Sequence, residues 1–166
     1  MAQAQCQRAG VSSAVENVDM GELLTGIVED AHFEGAAQQI DIVYTPGEMS
    51  EMVVIRANPE LLHRAIENVV RNALRFSSTG GAIQIAAGRV DSGHLKISIG
   101  DDGPGVPESQ LENIFKPFFR GDAQNTAGGY GLGLAIAQRV IAAVNGKIQA
   151  KNKFGGGLVV EMDLPV

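Results

Sequence analysis

From Met20 to Gln39 the apolar residues Leu23, Leu24, Ile27, Val28, Ala31 and Ala36 recur at helical spacing, which predicts a helix with one buried stripe. The period then drops to two, and IDIVY at 40–44 alternates as a half-buried strand does. EMVVIRA at 51–57 reads as a second short strand, closed by Asn58 as a helix cap and Pro59 at the first helical position. The helix that follows runs to about Phe76, with Leu62, Ile66, Val69 and Ala73 on its buried stripe. GAIQIAAGRV and HLKISIGD, separated by Asp91, Ser92 and Gly93, predict an antiparallel pair.

PESQLENIF predicts a short helix, residues 116–131 a long polar, glycine-rich loop, and LGLAIAQRVIAAVN a helix over 132–145 that stops at Asn145 and Gly146. KIQAKNK and GLVVEMDLP supply the last two strands. The expected fold class is α/β: a two-layer sandwich of a mixed, mostly antiparallel sheet with about three helices on one face. Residues 1–17 are polar and weakly patterned. They read as the tail of a helix from a preceding region, so residues 1–19 are set apart and 20–166 expected to form one domain.

Composition sharpens this picture at a few points. The chain of 166 residues is 45% hydrophobic but only 5% aromatic, with no Trp, so Ile, Val, Leu and Ala must build the core. A formal charge of −6 supplies no basic face for a nucleic-acid polymer. The single cysteine, Cys6, excludes a disulfide framework and a thiolate metal site. No apolar run approaches the ~20 residues of a membrane span, so no membrane contact is expected and the chain reads as soluble. The glycines cluster at 100–105, 128–133 and 155–157, as where backbone approaches a ligand.

On the helix ending at Phe76, Asn68, Asn72 and Arg75 lie on one line. Asparagine is a poor helix former, and an amide oxygen is a hard ligand suited to Mg²⁺. Taken alone, the same line also reads as a solvated polar face. DDGPGV at 101–106 puts Asp101 at a strand end beside backbone that can approach a flat ligand, and it equally suits an ordinary exposed turn. Glycines 128, 129, 131 and 133 run into a helix start, where unpaired N–H groups favour an anion. The spacing is neither a Walker loop nor a dinucleotide fingerprint.

In sequence order these segments resemble the ATP-binding catalytic domain of bacterial sensor histidine kinases, over about residues 20–166. ENVVRNALRF is similar to that family's asparagine box, DDGPG to its first glycine box, FKPFF to its phenylalanine box, GYGLG to its second glycine box, and GGGLVVEMDLP to its final strand segment. RNALR and GGGL are shared more narrowly with the envelope-stress sensor kinases. The resemblance implies ATP and Mg²⁺ as ligands. Asn72 would hold the metal, assisted by Asn68, and Arg75 would contact phosphate, with these three as the catalytic residues.

Asp101 would accept from the adenine amino group, with Gly103, Gly105 and Val106 shaping the base site and Phe76 stacking on the base or merely filling core. Residues 120–131 would form a lid that is mobile when empty. Arg120, Gly129, Tyr130, Gly131, Leu132, Gly133 and Leu134 would line the phosphate side, and a solvated Arg120 is equally consistent. Two positions depart from the pattern: Arg75 stands where lysine is usual, and Leu158 where a small hydroxyl residue is common.

Related ATP-hydrolysing proteins place a glutamate one turn before the metal-binding asparagine. Here that position is Asn68, and Glu67 is one residue off, about 100° round the helix. Phosphoryl transfer to a protein is therefore expected over hydrolysis. None of His32, His63 and His94 sits in a segment resembling the phosphoacceptor. The resemblance implies, as partners, a dimerisation domain absent from this chain and a cognate response regulator, and a cytoplasmic location beneath an inner-membrane sensor. A regulatory nucleotide-binding module without transfer and a serine kinase directed at a sigma factor are the competing readings.

Overall fold

A computed structural model describes residues 14–47, 52–91, 93–120 and 131–166. Strand β1 (Glu16–Asp19) leads into helix α1 (Met20–Ala37), where the Asp19 carboxylate caps the first turn by accepting from the N–H groups of Gly21 and Glu22. Strands β2 (Asp41–Pro46) and β3 (Val54–Ala57) follow, then helix α2 (Pro59–Phe76), capped by Asn58 accepting from the Leu61 N–H. The hairpin of β4 (Ala82–Asp91) and β5 (His94–Gly100) comes next, then two 3-10 turns at Glu108–Gln110 and Asn113–Phe115. Helix α3 (Gly133–Ala143) and strands β6 (Lys147–Asn152) and β7 (Leu158–Pro165) complete the chain.

The main sheet has the order β2-β4-β5-β7-β6, with β2 parallel to β4 and every other pair antiparallel. Alternation sets its inner face. Ile83 and Ile85 of β4, Leu95, Ile97 and Ile99 of β5, and Met162 and Leu164 of β7 are essentially inaccessible, and they meet Leu24 of α1, Leu62 and Ile66 of α2 and Ile141 of α3. The outer face carries Lys96, Glu161, Gln149 and Lys151, where the Glu161 carboxylate accepts from the Gln149 amide and pairs with both lysines. Three helices on one face of a mostly antiparallel sheet is the expected fold.

The structure differs from the sequence expectations in three places. Glu16–Asp19 is not a helical remnant but a strand, antiparallel to β3 in a separate two-stranded sheet with Val18 opposite Ile55. Residues 1–13 lie outside the described residues. β3 begins at Val54, later than the expected Glu51. PESQLENIF forms two 3-10 turns, because only Ile114 and Phe115 are buried, Leu111 packs half-exposed against the core, and the segment never acquires a continuous buried stripe.

Candidate functional site

Helix α2 buries Leu62, Ala65, Ile66, Val69, Val70, Ala73 and Leu74. The geometry of that stripe presents Arg64, Asn68, Arg71, Asn72 and Arg75 along an adjoining face. These five line a cavity of 290 Å³, closed on its other sides by Ile114, Phe119, Gly131, Leu132, Gly133, Leu134 and Ile136. The Asn68 amide donates to the carbonyl of Gly133 at 3.2 Å, which fixes the start of α3 against α2. Three guanidinium groups and a helix start on one small cavity favour an anion. No group of three or more His, Cys, Asp or Glu residues among the described residues is placed to hold a metal ion. A cation here would take most of its ligands from a bound anion and water, as Mg²⁺ does with phosphates, and the half-buried Asn72 amide suits one protein contact.

The C-terminal end of α2 abuts a second arrangement. Asp101 is the buried charged residue of the described core, 3% exposed. Its Oδ1 accepts from the N–H groups of Gly103 (2.9 Å) and Leu158 (3.2 Å), and no hydrogen bond to Oδ2 is seen among the described residues. Burial pushes the Asp101 carboxyl above the ordinary carboxylate range, opposed by those two N–H donors and by the Lys153 ammonium. With Oδ1 occupied by donors, Oδ2 is the acceptor available to a ligand.

Glycine is required here for space. A Cβ on Gly103 would stand 2.5 Å from the Phe76 carbonyl oxygen. One on Gly157, at φ 101°, would overlap the Asp101 carbonyl. The turn therefore lies directly against the last residue of α2, where Phe76 is partly exposed and where the shielded hydroxyl of Ser77 has no hydrogen-bond partner among the described residues. A buried hydroxyl of that kind calls for a partner.

The loop after the 3-10 turns is tied to the helix start by the Phe118 N–H donating to the Gly131 carbonyl at 3.0 Å. Phe118 adopts φ 63° and is exposed, while Phe119 turns inward to the cavity. Arg120 is exposed, and Gly129 and Tyr130, with the rest of 121–130, lie outside the described residues.

The structure thus brings Asn68, Asn72, Arg75, Gly131, Leu132, Gly133 and Leu134 around one cavity, with Phe76, Asp101, Gly103, Gly105 and Val106 beside its α2 end. Arg64 and Arg71 are additions: Arg64 lies one turn before Asn68 and would be found by extending the line, while Arg71 lies within its span, three residues after Asn68 and four before Arg75. Arg71 also pairs with Glu67 at 3.2 Å and Glu34 at 3.8 Å. Glu67 accordingly lies toward α1, beside Ile27, Asp30 and His63, and does not line the cavity. Two larger grooves, of 630 and 910 Å³, lie by β1 and along β6, and neither includes the glycine turns.

Comparison with known proteins gives a consistent result. The family described as "Histidine kinase-, DNA gyrase B-, and HSP90-like ATPase" matches residues 57–166. The sensor histidine kinase CpxA of Escherichia coli (strain K12) is 35% identical over 155 residues, covering 91% of this chain and 32% of CpxA. This chain thus spans about a third of the length of that relative. Among solved structures, the mycobacterial sensor histidine kinase MprB superposes with a TM-score of 0.81 at 28% identity, covering 90% of this chain and 97% of that one. Full-length ShkA, solved in complex with AMPPNP, gives a TM-score of 0.76 at 28% identity, covering 92% of this chain and 31% of ShkA.

Proposed function

This chain belongs to the family of histidine kinase-, DNA gyrase B-, and HSP90-like ATPases, and on that premise we propose that it is the ATP-binding catalytic part of a sensor histidine kinase. Asp101 Oδ2 accepts from the adenine amino group, with Gly103, Gly105 and Val106 forming the wall against the base and Phe76 flanking it. The triphosphate runs along α2 over Asn72 and Asn68 toward the arginines and meets the N–H groups at the start of α3 through Gly131, Leu132, Gly133 and Leu134. Asn72, together with the phosphates, would hold Mg²⁺, which would supply charge neutralisation on the transferred group.

The observation that carries transfer over hydrolysis is the position one turn before Asn72. Asn68 stands there, already donating to the Gly133 carbonyl, and an amide is no general base. Glu67, the adjacent carboxylate on α2, pairs with Arg71 at 3.2 Å and does not line the cavity. With no carboxylate or histidine among the described residues lining the cavity, the site favours an acceptor that brings its own nucleophile. That acceptor is a histidine on a dimerisation domain of the same protein, and the phosphoryl group passes on to a cognate response regulator. Among the described residues no helix is long and apolar enough to cross a membrane, in keeping with the cytoplasmic part of an inner-membrane sensor.

The test is radiolabelled Mg-ATP incubated with the purified chain and a separately supplied dimerisation domain. Acid-labile label on that domain, with little phosphate release in its absence, is the expected result. Steady ATP hydrolysis by the chain alone, with no label transferred, overturns the reading.

A further inference from the structure

The turn that carries Asp101 is held from outside by residues of the β6–β7 hairpin that no part of the nucleotide reading uses. The Asn152 side chain meets both backbone groups of Val106: its Oδ1 accepts from the Val106 N–H at 2.9 Å, and its Nδ2 donates to the Val106 carbonyl at 2.6 Å. Lys153 Nζ donates to the Asp101 carbonyl at 3.1 Å and to Asp102 Oδ1 at 3.0 Å. Asp102 Oδ2 in turn accepts from the Ala82 N–H at 3.0 Å, which ties the turn to β4. The far side of the hairpin closes the clamp, since the Asp101 N–H donates to the Leu158 carbonyl at 2.9 Å and the Leu158 N–H returns to Asp101 Oδ1. Both ends of the segment 101–106 are thereby fixed by side chains about fifty positions later in the chain.

We propose that Asn152 and Lys153 are positioning residues for nucleotide recognition, setting affinity through the Asp101 carboxylate without touching the nucleotide. The inference rests on Asp101 being the adenine acceptor. A ligand amino group needs Oδ2 in a fixed direction and unprotonated. Because Oδ1 already accepts two N–H groups, a proton on the carboxyl goes to Oδ2 and converts the acceptor into a donor. The charged groups facing Asp101 are Lys153 and Asp102, one favouring its ionised form and the other opposing it. Removing the ammonium leaves Asp102 unopposed and burial uncorrected, so the carboxyl titrates at higher pH. Asn152 acts differently, through the backbone of Val106, and carries no charge.

The experiment is calorimetric titration of the 166-residue chain with AMPPNP and Mg²⁺ across pH 5–8, using wild type, Lys153→Met, Lys153→Arg, Asn152→Ala and Asp101→Asn, with thermal unfolding of each. Lys153→Met is expected to weaken binding about fivefold to tenfold at pH 7 and to move the acid limb of the binding profile to higher pH. Lys153→Arg should restore most of both. Asn152→Ala should weaken binding by a similar factor with the acid limb unmoved, a separation that a general loss of stability would not produce. Binding within twofold of wild type in both Lys153→Met and Asn152→Ala, with Asp101→Asn abolishing it, overturns the inference and leaves the adenine reading intact. Wild-type affinity in Asp101→Asn removes the adenine reading, and the inference falls with it.

Discussion

The two ends of the cleft are built in opposite ways. At the α2 end the segment 101–106 is held by hydrogen bonds within itself and to the strands around it, Asp101 Oδ1 to Gly103 and Leu158, Asp102 to Ala82 and to Lys153 just past β6, and Val106 to Asn152, leaving Asp101 Oδ2 open. The acceptor is buried and its neighbours are backbone. Along α2 the reverse holds, with Arg64 and Arg75 exposed, Arg71 shared with two surface carboxylates, and Asn68 alone committed to the adjacent helix. A flat base of fixed hydrogen-bonding pattern rewards rigidity, whereas a polyanion that changes length in the reaction is served by charges on long side chains. Substitutions at the first end should act all-or-none, and those at the second should be graded.

The sharpest break in that contrast is Gly157→Ala. Its Cβ overlaps the Asp101 carbonyl at a φ of 101° that side chains avoid, so the turn must shift. Loss of AMPPNP binding beyond detection is expected, with about 2–3 kcal/mol of stability, read by titration and urea unfolding. Normal binding would mean that the turn is not the rigid element described. Asn72→Ala comes next. It leaves the base end untouched, so binding should persist without Mg²⁺ while the gain from adding Mg²⁺ falls about tenfold or more, read by titrating both ways. Arg75→Ala and Arg64→Ala should each cost only about twofold to fivefold in affinity, because an exposed guanidinium is screened and its neighbours share the load. All-or-none loss at either arginine would erase the distinction between the two ends.

The same contrast explains what the sequence made legible. Helices α1, α2 and α3 and the β4–β5 hairpin follow from apolar period and from local caps such as Asn58 and Pro59, whose physics is complete within a few residues. Asn68, Asn72 and Arg75 are visible because they break that period on one line. The strand Glu16–Asp19 is not, because three of its four residues are polar and only pairing with β3 makes it a strand. The Asn152 and Lys153 clamp is invisible for the same reason: its bonds span 46 to 52 positions, and nothing nearby in sequence distinguishes these two residues from a polar turn. At Leu158 the departure from a hydroxyl is harmless to Asp101, since the backbone N–H makes the bond and the side chain is buried in the core.

The smallest effect separates two adjacent carboxylates. Burial raises the Asp101 carboxyl above its unfolded value, so the folded state holds its proton more tightly and stability falls as pH rises from the unfolded pKa through the folded one. Asp102 is exposed, and the hydrogen bond from Lys153 followed by that from the Ala82 N–H lowers its carboxyl. Its contribution is present above the unfolded pKa and is lost as pH falls through the folded value. Asp101→Asn should therefore flatten a decline in stability above pH 4, and Asp102→Asn a rise below it. Solvent screening holds the Asp102 term to about 0.5 kcal/mol. Urea midpoints between pH 3 and 7 decide the matter. If both variants change the profile with the same sign, the two carboxylates share one environment, and the rigid, buried end of the cleft is not distinct from its exposed flank.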